Sequence, residues 1–421
     1  MKYLIKNCKV IHRSSKFHGK YVDILIDKGV ISDIGSKLSA PNATIIEGNE
    51  LHASIGWMDI GTHLGEPGYE QRETFESLAQ AAKCGGYTDL VSMPKSIPTI
   101  QSKAQIKNII SAGQAFGIDI HPLGALSQDS KGENISELID MHNAGAVAFT
   151  DGLIPVEKSG LLLRALQYVK MFDGIVMHHP DDTSLANENL IHEGDVSTSL
   201  GMKGSPSLAE NLMLYRDIKL QEYADSRLCI HLISTKESVE LIKNAKKTDN
   251  KIVSGVSYLN LLKSHEDLSN FDSNLKVIPL LRDKKDQKAL KRGLSTETLD
   301  YISSNHYPLE IEKKHLEFPY ASHGAIGLET CFAALNTTAS KELDLETIIH
   351  KISIGPREAL SISVPEFEIG CKAKITIFDP SIKWKYEEKN IQSLSQNSPF
   401  IDKEFEGKVV ATINGSEVFQ L

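Results

Sequence analysis

Both ends of the chain carry short stretches in which apolar and polar residues alternate. Within residues 1–52 these stretches are separated by turns, one of them at Lys28-Gly29. The stretch that starts at about Ile369 has the same character and contains an Asn414-Gly415 turn. Alternation interrupted by such pairs is typical of β-hairpins. Strands at opposite ends of a chain bury their apolar faces by packing together, so we predict one small β-sandwich built from residues 1–52 and 365–421.

The middle of the chain alternates apolar runs with stretches of helical periodicity, for example residues 73–85 and 234–247. Eight runs are predicted as strands: Trp57–His63, Asp89–Met93, Ile118–Leu123, Val147–Asp151, Ile175–His178, Leu228–Ile233, Ile252–Tyr258 and Tyr301–Asn305. Eight strand–helix units in succession favour a closed parallel barrel over an open sheet. We therefore predict an α/β protein in which residues 53–364 form a (β/α)₈ TIM barrel. No G-x-G-x-x-G pattern follows the first strand, which leaves a dinucleotide-binding fold without support.

Composition and charge narrow the class further. The 421 residues are 41% hydrophobic and 24% charged, which is ordinary for a globular protein. The net charge of -9 is interspersed along the chain, so we expect no nucleic-acid partner. No apolar run reaches the ~18–20 residues of a membrane span, and the N-terminus lacks the apolar core of a signal peptide. Five scattered cysteines without a C-x-x-C pair indicate reduced thiols, so we expect a cytoplasmic protein with no membrane partner.

Histidines stand at the carboxyl ends of three predicted strands, which is where chemistry sits in such a barrel. They are His63 after strand one, His178 at the end of strand five and His231 in strand six. Neutral imidazoles that converge on the barrel axis are a common means of holding Zn²⁺. A single histidine in an apolar strand, however, is more often a hydrogen-bonded core residue. From spacing alone, a shared metal site and three separate buried histidines both stay open.

Several motifs resemble those of dihydroorotases. Residues 56–68 are similar to the signature G-x-x-D-x-H-x-H-x-R-E-P-G, and residues 148–152 to A-F-[ST]-D-D-G. Shorter similarities are residues 85–88 to G-G-[FY]-T, 93–98 to M-P-N-T-x-P, 176–178 to V-A-H, 231–235 to H-[VL]-S-T, 276–282 to K-x-N-P-P-L-R, 304–309 to T-D-H-A-P-H and 327–330 to G-x-E-T. Over nearly its whole length, the chain thus resembles single-chain bacterial dihydroorotases of the amidohydrolase superfamily.

This resemblance implies a barrel of the metal-dependent amidohydrolase type. Its reaction would be the reversible closure of carbamoyl aspartate to dihydroorotate in pyrimidine biosynthesis, with one or two zinc ions that polarise an amide carbonyl and activate water. It also implies a homodimer. For inactive members of the family it further implies an association with aspartate carbamoyltransferase, the preceding enzyme of the pathway.

The chain departs from the family at positions that the resemblance implies are catalytic. The strand-eight aspartate that binds metal and shuttles the proton is Asn305, a neutral amide that cannot take a proton. Five other replacements remove the first histidine of H-x-H, the substrate arginine, the strand-two asparagine, the asparagine of K-x-N-P-P-L-R and the second histidine of D-H-A-P-H: Gly61, Gly65, Lys95, Ile278 and Leu309. The groups that would bind dihydroorotate are therefore largely absent.

Strand four leaves two alignments open. The family's D-D-G is shortened here to Asp151-Gly152. Counted from Phe149, Asp151 matches the first aspartate and the bridging metal ligand is lost. Counted back from Gly152, Asp151 is that ligand.

Three hypotheses follow. The first is a non-catalytic dihydroorotase homologue with a structural or regulatory role, in which Asn305 occupies the general-base position. The second is a hydrolase of cyclic amides with at most one zinc ion, held by His63, His178 and His231 and joined by Asp151 in one alignment. Its candidate bases are His179, His306 and Glu66, and Lys95 is a weak candidate for binding a substrate carboxylate. The third, dihydroorotase turnover despite the losses, is the least favoured by chemistry.

Overall fold

Eight parallel strands form a closed barrel in the computed structural model, which describes residues 1–248 and 251–421, with Asn187 described by its backbone alone. Barrel strands one to eight are Trp57–Thr62, Tyr87–Ser92, Asp119–Pro122 with Gly124–Ala125, Phe149–Thr150, Ile175–His178, Arg227–Ile230, Ile252–Ser257 and Tyr301–Ser303. Neighbours in this order pair in parallel from strand one to strand three and from strand three to strand eight. The predicted barrel is confirmed.

Strand eight returns to strand one and closes the barrel. The Ser303 hydroxyl donates to the carbonyl of Ile60 (2.6 Å), and the amide of His63 donates to the carbonyl of His306 (2.9 Å). Every residue of strands one and two is buried. Such continuous burial is typical of parallel strands that have helices on one side and packed side chains on the other.

Eleven α-helices are present in the described residues, most of them packed around the barrel. They are α1 Phe75–Cys84, α2 Lys103–Ala115, α3 Leu138–Ala144, α4 Ser159–Lys170, α5 Asp195–Ser199, α6 Ser207–Ala224, α7 Lys236–Ala245, α8 Tyr258–Leu262, α9 Lys284–Ser295, α10 Cys331–Thr338 and α11 Leu345–Ala359. Their first turns use local caps. Thr74 accepts the amide of Ser77 at α1, and Thr235 accepts the amide of Ser238 at α7.

Strands from both ends of the chain combine, as predicted for the β-sandwich, and they pair into one eight-stranded sheet that we call the terminal sheet. Its strands are Lys2–Val10, Tyr21–Asp27, Val30–Gly35, Thr44–Ile46, His52–Ile55, Lys374–Lys385, Glu404–Asn414 and Glu417–Gln420. The two ends meet where Ile375 pairs with Ile55 in antiparallel register. The strand His52–Ile55 crosses the division placed after residue 52, and the domain limits at 52 and 365 stay a prediction. A separate pair of short strands, Ile191–His192 and Gly204–Ser205, follows barrel strand five.

A buried ionic cluster around Asp89 joins the barrel to the terminal sheet. The carboxylate of Asp89 accepts hydrogen bonds from Arg357 of α11 (2.5 Å), from Lys374 of the terminal sheet (2.7 Å) and from the His121 ring (2.8 Å). Burial alone would raise the pKa of Asp89, but the charge of Arg357 foremost, with the hydrogen bond from His121 and the charge of Lys374, holds that pKa well below its ordinary value. The cluster fixes the two parts of the molecule against each other.

Within residues 1–248 and 251–421, no helix combines the length and the apolar character that crossing a bilayer requires.

Candidate functional site

His178 ends barrel strand five and uses both of its ring nitrogens. The amide of Val156 donates to Nε2 (2.8 Å), so Nε2 is an acceptor and the ring proton lies on Nδ1. Nδ1 donates to the fully buried carboxylate of Asp217 on α6 (2.6 Å). Asp217 in turn accepts two hydrogen bonds from Arg216 (3.0 and 2.7 Å). His178 therefore has no free lone pair for a metal in this arrangement.

His231 fills the space that a side chain at position 61 would need. A Cβ atom built on Gly61 would lie 2.5 Å from Nε2 of His231 and 2.6 Å from its Cε1. Gly61 also has a φ of +99°, in the region that favours glycine. Nδ1 of His231 is hydrogen-bonded to the hydroxyl of Tyr301 (2.8 Å). Burial, followed by the nearby charge of His179, lowers the pKa of His231 to about 3, so this imidazole is neutral at pH 7.

His63 lies against Tyr307, the second residue after the strand-eight Asn305. The two rings meet edge to face with centroids 3.9 Å apart. Burial first, and then the positive charge of Lys95, hold the pKa of His63 well below its ordinary value. Lys95 itself is exposed on the loop after strand two. Nε2 of His63 and Nε2 of His231 are buried and have no hydrogen-bond partner among the described residues.

Asp151 follows strand four and is held by Ser127. One carboxylate oxygen accepts the Ser127 amide (2.9 Å) and the other accepts its hydroxyl (2.5 Å). Burial raises the pKa of Asp151, and the two hydrogen bonds from Ser127 oppose this rise. Both oxygens thus have protein donors, and the choice between the two sequence alignments stays open.

Asn305 lies just beyond strand eight in a left-handed backbone conformation with a φ of +48°. Its side-chain Nδ2 donates to the carbonyl of Ile278 (2.8 Å), whereas its side-chain Oδ1 is buried without a partner among the described residues. Leu309 is buried, and its amide donates to the side chain of Asn397 (3.2 Å). Ile278 and Leu309 are thus apolar side chains at two positions where the resemblance implies polar contacts with the substrate.

Gly65 has no room for a side chain. A Cβ atom there would lie 2.0 Å from the carbonyl oxygen of Glu73 and 2.6 Å from its amide nitrogen. The Glu73 carboxylate is fully buried. It accepts the Leu394 amide (2.9 Å) and the hydroxyls of Ser77 and Ser393. The loop after strand one is thus packed tightly where the dihydroorotase signature has its arginine.

The three candidate bases lie in separate surroundings. Nδ1 of His179 is 3.2 Å from the carbonyl of His231, and burial lowers the pKa of His179. Nε2 of His306 is 3.3 Å from the Glu73 carboxylate. Glu66 accepts the amide of Phe75 at the start of α1 (3.2 Å). Each of these groups has a hydrogen-bonding role within the fold.

Comparisons with known proteins agree on the family. The sequence model described as Dihydro-orotase-like matches residues 53–238. The chain is 36% identical over 403 residues to a dihydroorotase of Ruminiclostridium cellulolyticum, covering 95% of this chain and 94% of the relative. It is 34% identical over 425 residues to a dihydroorotase of Syntrophus aciditrophicus, covering both chains in full. This chain belongs to the dihydroorotase family.

Solved structures of similar fold include hydantoinases and dihydropyrimidinases. The L-hydantoinase (dihydropyrimidinase) of Arthrobacter aurescens superposes with a TM-score of 0.86 at 22% identity, covering 99% of this chain and 95% of that chain. The dihydropyrimidinase of Brevibacillus agri gives a TM-score of 0.82 at 20% identity, with the same coverage. At these identities the likeness establishes the fold: an amidohydrolase barrel with a terminal β-sheet region.

The donor set of this dihydroorotase-family chain does not fit the zinc shell implied by the resemblance. Within the described parts of the chain, no group of three or more histidine, cysteine, aspartate or glutamate side chains is placed to hold a metal ion. Both ring nitrogens of His178 are hydrogen-bonded, and each carboxylate oxygen of Asp151 accepts one hydrogen bond from Ser127. His63 and His231 each have a buried Nε2 without a partner among the described residues. Catalytic zinc takes three protein ligands and an open position.

Sequence reasoning did not find the partners that hold these histidines. Asp217 is 39 residues from His178, Tyr301 is 70 residues from His231, and Val156 is 22 residues from His178. Asp217 lies on a helix that contains several other charged residues, and only the folded chain shows which of them contacts His178.

Proposed function

We propose that this member of the dihydroorotase family is non-catalytic and serves pyrimidine biosynthesis in a structural or regulatory role. The observation that carries the proposal is the close packing at two positions of this chain. They are the positions where the dihydroorotase signature has its first histidine and its arginine. Neither Gly61 nor Gly65 has space for any side chain. The ring of His231 occupies the space beside Gly61, and the backbone of Glu73 occupies the space beside Gly65. The missing histidine and arginine side chains would need this space.

The magnitudes support the same conclusion. Loss of a general base costs about 10²–10⁴ in rate, and Asn305 cannot act as one. Each further 1.4 kcal/mol lost from substrate binding lowers kcat/KM about tenfold. Gly65 also replaces the arginine that would bind the substrate carboxylate. With both groups missing, turnover of dihydroorotate would fall to about the uncatalysed background.

The test combines metal content with activity. We expect the protein, purified without added zinc, to contain far less than one equivalent of zinc per chain by mass spectrometry. We also expect it to hydrolyse dihydroorotate no faster than buffer, with a dihydroorotase relative purified in parallel as the positive control. Hydrolysis above background that is abolished by His178→Ala would overturn the proposal.

A second candidate is a cyclic-amide hydrolase with one residual zinc ion. It is favoured by the two free, buried Nε2 atoms of His63 and His231. It needs a third ligand, which His178 would supply only by giving up the Val156 amide. About one equivalent of zinc, lost in both His63→Ala and His231→Ala, would favour this candidate over the first.

The proposed role includes partners. By resemblance to inactive members of the family, we propose a homodimer that associates with aspartate carbamoyltransferase in the cytoplasm. Co-elution of the two purified proteins from a sizing column at low salt is the expected result. Separate elution at every mixing ratio would contradict the association and leave the catalytic question to the zinc and activity assays.

A further inference from the structure

A groove of about 600 Å³ runs between α7 and α9 on the outer wall of the barrel. The helices follow barrel strands six and seven, and the groove lies outside the candidate site on the axis. Its lining includes six lysines and one arginine against two glutamates. In a chain of net charge -9, this is a local reversal of the overall charge.

Most of these cations are free. Five of them are exposed and have neither a carboxylate within 4.0 Å nor a side-chain hydrogen bond among the residues that the structure describes: Lys236, Lys243, Lys285, Lys288 and Arg292. Of the other two, Lys246 is paired with Asp300 (2.6 Å), and the exposed Lys247 donates to the side chain of Asn244 (2.9 Å). Unpaired cations concentrated along one groove attract anions more strongly than a mixed surface does.

The carboxylates of the groove compensate little of this charge. Glu297 is engaged by Lys351 (2.5 Å) and lies 3.5 Å from Arg13, both outside the groove lining. Glu240 is thus the one lining carboxylate without an ion pair in the described residues. Five free cations against one free carboxylate leave the groove strongly positive.

The distribution of the cations indicates the shape of the ligand. Lys236 and Lys243 lie on the α7 wall, and Lys285 and Arg292 lie on the α9 wall. In each pair the residues are seven positions apart, which is about 10 Å along a helix. The charges are therefore spread along both walls instead of converging on one phosphate-sized point. An extended polypeptide suits this arrangement because its successive side chains point to opposite sides.

The groove offers little to a nucleic acid. No aromatic side chain is among its lining residues in the described structure, and single-stranded nucleic acids depend on aromatic side chains for base stacking. Between the charged residues lie small apolar ones, Val239, Ala289 and Gly293, which suit aliphatic side chains. The chemistry favours a polypeptide over a nucleotide.

We propose that this groove binds an extended acidic segment of a partner protein. The inference does not rest on the proposed function, because the groove lies on the outer wall and involves none of the residues of the candidate site. An extended chain with carboxylates on alternate sides would pair with α7 on one side and α9 on the other. Binding of this kind weakens with added salt.

The test is fluorescence anisotropy of the full-length protein with a labelled octaglutamate peptide at ~0.1 M salt, where surface charges still interact over about 10 Å. The double variant Lys243→Glu/Lys288→Glu reverses one cation on each wall. The matched control is Lys103→Glu/Lys107→Glu, two exposed positions on α2. We expect the groove variant to weaken binding at least tenfold and the control to change it less than twofold. Lys243→Ala/Lys288→Ala, with intermediate weakening, guards against misfolding of the reversed variant.

Three outcomes would overturn the proposal. The first is the absence of octaglutamate binding to the wild-type protein when octaglutamine is the baseline. The second is equal weakening in the α2 control, which would show a diffuse effect of net charge. The third is binding of tripolyphosphate or of a single-stranded oligothymidylate as tight as that of octaglutamate and lost in the same groove variant. That result would assign the groove to polyanions in general.

Discussion

Gly61 shows how one residue constrains the interior of this barrel. Two features would each lower the stability of a protein with a side chain at this position. The φ of Gly61 is +99°, and a Cβ atom built there would lie 2.5 Å from the ring of His231. A left-handed conformation costs about 1–2 kcal/mol for a residue with a side chain. Overpacking a buried position costs a further ~1–3 kcal/mol.

We therefore expect Gly61→Ala to lower the free energy of unfolding, measured in urea, by about 1–3 kcal/mol more than Gly201→Ala does. Gly201 is a matched control because its φ is +66° and a Cβ atom there would meet nothing within 4 Å. Equal losses in the two variants would show that His231 moves aside freely. In that case a histidine could be restored at position 61 without disrupting the barrel.

The residue scale is also where the sequence was least informative. Motif positions identified which groups of the family are missing, because each aligned residue can be compared by itself. The orientation of the retained histidines depends on distant residues, such as Asp217 for His178 and Tyr301 for His231. The prediction that three imidazoles converge therefore depended on side-chain orientations that the sequence does not specify. In the structure, the ring of His178 is hydrogen-bonded to Asp217 and to the amide of Val156.

Among elements, the segment 391–400 lies between two strands of the terminal sheet, Lys374–Lys385 and Glu404–Asn414, and is held by buried carboxylates of the barrel domain. Glu329, which precedes α10, accepts the amides of Gln392 (3.1 and 3.0 Å) and Ser393 (3.1 Å) at the start of this segment. Burial raises the pKa of Glu329 from 4.5 to about 7, and its hydrogen bonds oppose this rise. Between pH 4.5 and about 7, Glu329 therefore keeps its proton in the folded protein to a greater extent than in the unfolded chain.

This raised pKa predicts a pH dependence of stability. Between pH 4.5 and about 7 the folded state binds more protons at Glu329 than the unfolded state does, so its contribution falls as the pH rises through that window. The contribution lost is about 3.5 kcal/mol at most, since one pKa unit corresponds to about 1.4 kcal/mol. We expect Glu329→Gln to unfold in urea with a smaller loss of stability from pH 5 to pH 8 than wild type. An unchanged loss would show that Glu329 is already ionised in the fold. Glu240→Gln, on an exposed helix face, is the control.

Asp89 joins three elements, and this role gives a second prediction at this scale. Asp89→Asn leaves the buried Arg357 without its carboxylate, and breaking such a pair costs about 3–5 kcal/mol. The matched control is Asp27→Asn, which breaks the exposed pair with Lys2 (3.4 Å) and should cost less than ~1 kcal/mol. Urea unfolding measures both losses. Similar values for the two variants would mean that the cluster adds no more than a surface pair.

The elements themselves were predictable because burial on both faces leaves a continuous apolar run in the sequence. All eight predicted barrel strands are present; Ile175–His178 has the predicted ends, and the other seven strands are shifted at one or both ends. Strand two was predicted as Asp89–Met93 and is Tyr87–Ser92, and strand four was predicted as Val147–Asp151 and is Phe149–Thr150. The ends shift because backbone pairing with the neighbouring strand, and not the apolar run, decides where each strand begins and stops.

At the scale of the whole molecule, the terminal sheet and the barrel share packing contacts. Trp57 of barrel strand one packs on Phe378 of the terminal sheet, with ring centroids 5.5 Å apart. The Thr376 hydroxyl of the same sheet strand donates to the carbonyl of Gly86 (2.6 Å). Ile354 of α11 belongs to the apolar core of the sheet. Because the two parts share these buried contacts, we expect them to unfold in one transition.

The two tryptophans make this cooperativity measurable. Trp57 is buried in the barrel, and Trp384 lies in the strand Lys374–Lys385 of the terminal sheet. Trp384→Phe leaves a reporter of the barrel, and Trp57→Phe leaves a reporter of the sheet. In each variant we expect the urea transition followed by tryptophan fluorescence to coincide with the one followed by far-UV circular dichroism. Comparison within one variant removes any effect of the substitution on stability. If Trp384 fluorescence changed at lower urea than the circular dichroism, the sheet would unfold first. The contacts of Thr376 and Ile354, with phenylalanine in place of Trp57, would then be too weak to couple the sheet to the barrel.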